Sequence, residues 1–383
     1  MALHFSHEEF ASRQARVRAA LEREELDGLV LFKQESMYYL AGYDTSGYTM
    51  FQGMYFGADG RMALLTRSAD RLQSRMTSVL EDIRIWTDRD GASPGDDLRD
   101  MLDAYGCRGK RIGIEYHAYG LTAQRGKMVD AALEGFCEAS DASDVVRLVR
   151  LVKSPAELAY VRKAGILCDA AWHVANTRTV PGVFLGDVYG EMMHTIMSSG
   201  GDPSASRWPM GAGEEALMVR YHTGKETVAA QDQVQHEFAA AYRHYHACAM
   251  SVVVTGAPDP AQLSMFSAAR DALAACKEAL CPGKTVGDVF EAHRSTLDEG
   301  GYGHAALNAC GYSLGVSYPP TWMDWPMIWA DNPQGLEPGM VFFLHMILLD
   351  DRTGLTMSLG ETAIVTEGAC EPVTNAPREL VAN

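Results

Sequence analysis

No C-x-x-C pair occurs among the eight cysteines of this 383-residue chain, which stand apart at positions 107, 137, 168, 248, 276, 281, 310 and 370. A chain this long needs no disulfide frame, so these thiols are expected to be reduced and mostly core filler. Positive charge is scarce: 33 Lys and Arg face 50 Asp and Glu, a net charge of −17. Nucleic acid and anionic membrane surfaces both need clustered Lys and Arg, so neither is an expected partner, and a small-molecule role is favoured. No apolar run reaches the roughly 18 residues of a membrane span. The start, MALHFSHEEF, is charged and helical in pattern instead of a basic stub before an apolar run, which makes the cytoplasm the expected location. No G-x-G-x-x-G occurs, and Pro282-Gly283-Lys284-Thr285 lacks the upstream glycine of a P-loop, so no nucleotide cofactor is indicated.

What is present is ordinary globular material, 47% hydrophobic and 22% charged. Ser6 and Glu9 form a capping box ahead of Phe10, Val17 and Leu21, which share one helical face. Strands are predicted at 28–32 and 111–116, a hairpin at 50–56 and 62–66 across Gly57-Ala58-Asp59-Gly60, and helices near 69–79, 95–106 and 120–135. This alternation predicts a smaller α/β domain over 1–152. The boundary is Val152-Lys153-Ser154-Pro155-Ala156-Glu157, where Ser154 can cap, Pro155 suits the first turn and Glu157 complements the helix dipole. In the second domain, 153–383, helices are predicted to about 176 and at 186–199, strands near 216–222, 233–240 and 244–255, helices at 260–280 and 286–299, and strands at 308–317, 340–349 and 355–366. That order suggests two similar α-β halves, although there is no literal repeat.

Several charged or polar residues interrupt apolar strands of the second domain. Glu237 follows Val234 and precedes Phe238-Ala239-Ala240, His345 splits the run 340–349, and Glu361 sits between Leu359-Gly360 and Thr362-Ala363-Ile364-Val365. An unpaired charge there is costly, so a task or a partner is expected for each. His222 precedes a turn and has the setting of a solvent-reachable base. His244, His246 and Cys248 read either as a zinc-type ligand set or as a polar strand edge with one or two functional histidines. Trp322-Met323-Asp324-Trp325-Pro326 is either a binding wall or a packed loop. Gly311-Tyr312-Ser313-Leu314-Gly315 satisfies G-x-S-x-G, with Asp324 or Asp331 and then His345 in triad order, but Pro319 and Pro320 oppose the helix that a nucleophile elbow needs.

Three stretches, Arg150-Leu151-Val152-Lys153-Ser154-Pro155-Ala156-Glu157, Glu337-Pro338-Gly339-Met340-Val341 and Glu361-Thr362-Ala363-Ile364-Val365-Thr366, resemble the creatinase, prolidase and methionine aminopeptidase superfamily. The resemblance spans nearly the whole chain. It implies an α+β architecture, a pita-bread C-terminal domain behind a smaller α/β N-terminal domain, and hydrolysis of C–N bonds in small molecules or short peptides by homodimers. The metallopeptidase members hold two metals with two aspartates, a histidine and two glutamates; by position this chain offers Glu237, Cys248, Tyr312, His345 and Glu361. A hard dimetal site needs several carboxylates, so no metal and no other cofactor is expected. Glu237-Phe238-Ala239 with Arg243-His244-Tyr245-His246, Gly311–Pro320 and Asn375-Ala376-Pro377-Arg378-Glu379-Leu380 resemble the ectoine hydrolases most.

The resulting expectation is metal-independent hydrolysis of a creatine- or ectoine-like substrate. Glu237 attacks the substrate or orients water, and His222, at the position of the creatinase histidine, moves the proton. Glu361 clamps a cationic nitrogen, and Tyr312, His246 and His345 stabilise charge. Trp322 and Trp325 are wall candidates, and Tyr43, Asp44, Tyr48 and Gln52 are lid candidates, a role the N-terminal domain takes in creatinase-like dimers. The rival expectations are a metal-dependent Xaa-Pro dipeptidase using Glu237, His345 and Glu361, and a non-catalytic small-molecule binder.

Overall fold

In the computed structural model, which describes residues 3–221 and 224–383, the first helix, α1 (His7–Arg23), starts where Ser6 accepts a 3.2 Å hydrogen bond from the Glu9 amide; the Glu9 carboxylate pairs with Arg13 at 2.9 Å. There follow β1 (Gly28–Leu31), α2 (Gln34–Ala41), β2 (Gly53–Gly57), β3 (Met62–Arg67), α3 (Arg71–Thr77), β4 (Asp82–Trp86), α4 (Pro94–Ala104), β5 (Arg111–Ile114), α5 (Ala123–Leu133), β6 (Glu138–Asp141) and α6 (Ser143–Leu151). The strands form one six-stranded sheet, ordered β4-β3-β2-β1-β5-β6, with β1, β5 and β6 parallel and β1, β2 and β3 antiparallel. Apolar side chains cover it on two sides, around Leu21, Leu40 and Phe56 on one and Phe32, Leu102 and Val129 on the other. Contacts divide the chain into two units between Arg150 and Leu151.

The second unit opens with α7 (Pro155–Arg178), whose capping box is complete: the Ser154 amide donates to Glu157 at 2.9 Å and the Glu157 amide to Ser154 at 3.2 Å. The other Glu157 oxygen accepts from the Tyr245 hydroxyl at 2.8 Å, tying the helix start to the sheet. The chain continues as α8 (Leu185–Ser198), β7 (Met210–Ala212), β8 (Asp232–Tyr242), β9 (Tyr245–Thr255), α9 (Pro260–Ala279), α10 (Val286–Glu299), β10 (Gly311–Ser313), β11 (Asp324–Met327), β12 (Val341–Asp350), β13 (Leu355–Ile364), β14 (Glu371–Pro372) and β15 (Val381–Ala382). A helix pair followed by a long hairpin thus occurs twice, and β13 joins β9 to merge the hairpins into a nine-stranded sheet. The β8–β9 hairpin turns through Arg243 and His244, both at positive φ (52° and 65°), as a tight two-residue turn demands. His244 therefore lies in the turn and not on a strand face with His246, and its ring stacks on Tyr318 at 4.3 Å. Over the described residues 216–221 the expected strand is not formed: Gly213–Leu217 is a 3-10 helix, entered at a Gly213 φ of +58° that ends β7.

Candidate active site

Strand alternation decides which side chains reach the open face of the large sheet. On β8, His236 lies 3.0 Å from the Thr179 hydroxyl after α7, and the Phe238 ring is 6.4 Å from that of Trp172, so both point towards the helices. Glu237 between them faces the other way. On β9, Ser251 accepts from the Trp172 indole at 3.0 Å, which leaves Met250, the register partner of Glu237, on the open face with Cys248. Across β12 and β13, His345 opposes Gly360 while Leu344 opposes Glu361.

The open face and its flanking loops enclose a cavity of about 800 Å³. Glu237, Tyr312, Trp322 and His345, named from the sequence, line it together with Arg207, Arg220 and Trp329. Glu237 is 9% exposed, and no described residue hydrogen-bonds its carboxylate. Burial raises its carboxyl from 4.5 to about 7, against the opposing pull of the Arg220 charge. The buried Tyr312 hydroxyl accepts from the Trp322 indole at 2.7 Å. Burial pushes this phenol well above its usual range, so it stays a neutral donor. Burial lowers His345 to about 3, so its imidazole is neutral near pH 7; its ring packs at 5.6 Å from Tyr312 and 5.7 Å from Phe343. Tyr312→Phe should leave the buried Trp322 N–H without an acceptor, lowering stability by about 1–3 kcal/mol. Thermal melts and steady-state kinetics check this, with kcat/KM expected to fall at least tenfold; an unchanged kcat/KM would make Tyr312 wall only.

Other sequence candidates lie elsewhere. Glu361 does not reach the cavity: it is 0% exposed and pairs at 2.7 Å with Lys277 of α9, because its strand parity turns it to the helix side. His246 is buried outside the cavity lining, its Nε2 accepting from the Ala205 amide at 3.0 Å. Trp325, 38% exposed, sits beside Trp329, and it is Trp329 that lines the cavity. Among the described residues no three His, Cys, Asp or Glu side chains are placed to hold a metal, so His244, His246 and Cys248 form no zinc site. Ser313 is buried on β10 with no helix after it, which removes the nucleophile-elbow reading. In the first unit, Tyr48 is buried and Asp44 half-buried, while Tyr43 and Gln52 are joined by a 3.1 Å hydrogen bond in an internal network that includes Gln34. His222 lies outside the described residues. The sequence reading missed Arg207, Arg220 and Trp329, which sit in loops or just past a strand, where no periodicity marks a facing direction.

The pattern of metallopeptidase family M24 matches residues 159–367, and that of the creatinase/prolidase N-terminal domain matches 13–152. The chain belongs to family M24. It is a hydrolase of that family with the two-domain pita-bread fold. Similar chains include an uncharacterised hydrolase/peptidase of Sinorhizobium fredii, 30% identical over 99% of this chain and 98% of that one. Ectoine hydrolase of Halomonas elongata is 26% identical, over 99% and 98% respectively. Dipeptidase PepE of Mycobacterium ulcerans superposes with a TM-score of 0.86 at 23% identity, covering 99% of both chains. No described helix of this M24 hydrolase is long and apolar enough to cross a membrane.

The donor set on the open face does not fit a dimetal centre. Among the described residues it offers one carboxylate, Glu237, a Cys248 thiol that burial keeps protonated, a phenol bonded to Trp322, and one imidazole, His345. Opposite His345, β13 carries Gly360, and a Cβ there would lie 2.5 Å from the Phe343 ring, so that place is already filled. Hard divalent metals favour sites richer in carboxylate.

Proposed function

We propose that this M24 hydrolase cleaves a C–N bond in a small creatine- or ectoine-like amidine or amide without a metal, with Glu237 at the reacting centre. The observation that supports this most is a single cavity carboxyl, held near neutrality by burial and free of hydrogen bonds from described residues. In its ionised form Glu237 either adds to the electrophilic carbon, giving an acyl- or imidoyl-enzyme that water then cleaves, or takes a proton from a water that adds instead. Both routes deliver hydroxyl to carbon and a proton to the leaving nitrogen. Tyr312, as a neutral donor, can bond the atom on which negative charge develops. His222 remains the proposed carrier of the proton to nitrogen, on its sequence position alone. The dimeric state and cytoplasmic location expected from the sequence belong to this same reading.

A metal-dependent dipeptidase is the competing reading, supported by the family match and by the fold shared with PepE. Mass spectrometry of the protein incubated with ectoine, creatine, cyclic amidines and Xaa-Pro dipeptides separates the two. Hydrolysis of a cyclic amidine or creatine in the presence of chelator is expected; dipeptide cleavage that chelator abolishes and manganese restores would overturn the proposal.

A further inference from the structure

Two neutral hydrogen-bonding groups share one wall of the cavity, across the sheet from Glu237. Strand register places Glu237, Met250, Gly360 and His345 in a single row over β8, β9, β13 and β12, about 14 Å from end to end at three strand spacings. The middle of the row is low: Gly360 has no side chain, and the Phe343 ring fills its place. Tyr312, on β10, is the register partner of Phe343, and its ring lies 5.6 Å from that of His345. Glu237 thus stands at one end of a shallow trough, with Tyr312 and His345 together at the other. Both are built into the wall, 2% and 6% exposed. The Tyr312 oxygen accepts from the Trp322 indole at 2.7 Å, which leaves the hydroxyl proton to be donated. The neutral His345 ring carries one N–H. Its Nδ1 is buried with no partner among the described residues, so Nε2 is the nitrogen open to the cavity. An N–H buried without an acceptor is the rarer and costlier arrangement, which favours the tautomer with the proton on Nε2.

We infer that His345 Nε2–H and the Tyr312 hydroxyl form a two-donor site for the atom that gains an electron pair as the substrate carbon turns tetrahedral. Attack by Glu237, or by the water it activates, forms a C–O bond and moves the π pair of the C=O or C=N group onto that oxygen or nitrogen. The two donors meet this pair. When it returns to carbon, the C–N bond breaks, and the leaving nitrogen takes the bond's electrons and a proton. A protonated amidine has no lone pair to offer before attack, and a carbonyl oxygen gains charge during it, so both donors bond more strongly in the transition state than in the bound substrate. Donors fixed in a buried wall need no reorganisation as the charge moves. This donor pair rests on the reading of the cavity as the hydrolytic site and deepens it by making the imidazole N–H a catalytic group beside the phenol.

The test compares the full chain with His345→Leu, which has no donor, and His345→Gln, which keeps an N–H. Two quantities are read: turnover of creatine and ectoine, and affinity by calorimetry for a cyclic phosphonamidate, a tetrahedral mimic, against the planar lactam of the same ring. His345→Leu should lower kcat roughly a hundredfold to a thousandfold with KM changed less than about threefold, and His345→Gln should recover about tenfold or more of the loss. The wild type should bind the phosphonamidate at least about tenfold more tightly than the lactam, a preference that His345→Leu removes and His345→Gln retains in part. Turnover unchanged in His345→Leu, equal losses in both variants, or a phosphonamidate bound no better than the lactam would overturn the inference. A wild type that turns over nothing yet prefers the phosphonamidate through His345 would keep the donor pair and remove the proposed reaction. Normal turnover that is indifferent to His345 would do the reverse.

Discussion

Glu237→Gln should lower kcat by about a thousandfold or more while making the protein more stable at alkaline pH. Both effects follow from one fact, that burial raises this carboxyl from 4.5 to about 7. Because the folded protein holds the proton more tightly than the unfolded chain, Glu237 disfavours folding progressively as pH rises from about 4.5 to 7, and the penalty is complete above that. The shift corresponds to about 3 kcal/mol at pH 8. The glutamine variant escapes it, so its melting temperature should exceed that of the wild type by roughly 5–10 °C at pH 8 and converge with it near pH 4. In the wild type, kcat/KM should climb with pH and level off above about 7, since His345, at about 3, titrates well below this range. A glutamine variant that is inactive but no more stable at pH 8 would mean that Glu237 is charged at no cost, paired in a way the cavity does not show.

The second large effect is on folding. Lys277→Met should destabilise the protein by about 3–5 kcal/mol, because it strips the cation from a carboxylate with no exposure to water. Oε2 of Glu361 has no hydrogen-bond partner among the described residues, so the 2.7 Å contact with Lys277 carries most of the compensation. Combining Lys277→Met with Glu361→Leu should restore much of the lost stability, since a well-packed apolar pair avoids burying charge altogether. Denaturant unfolding of the two single variants and the double variant measures this coupling. Catalytic activity retained by the double variant would place Glu361 in the scaffold; activity lost from a fully folded double variant would return it to the site.

Glu361 shows where reading the sequence reaches its end. An ionisable residue inside an apolar strand signals that something unusual is buried, and for Glu237 and His345 the cavity lies on that side. Which face the side chain takes needs period-two contrast, and β13 has none: its residues from Thr356 to Ile364 are all buried, on both faces. One residue of parity separates the cavity from the helices, and only the register His345↔Gly360 settles it. The same loss of contrast hid α2, buried along its whole length, and β6, exposed along its whole length. By contrast, α7 was legible because its capping box is local chemistry, and the two helix–helix–hairpin halves were legible from the order of their periodic segments. Arg220 stood two residues before His222 in the sequence, but a loop arginine carries no sign of whether it meets a carboxylate or a cavity.

The most direct measurement for the whole account is turnover of a cyclic amidine by protein dialysed against chelator, with its metal content determined on the same sample. The account expects hydrolysis at an undiminished rate with far less than one metal per chain, abolished by Glu237→Gln. Activity that tracks metal content, vanishing on dialysis and returning with manganese, would contradict it.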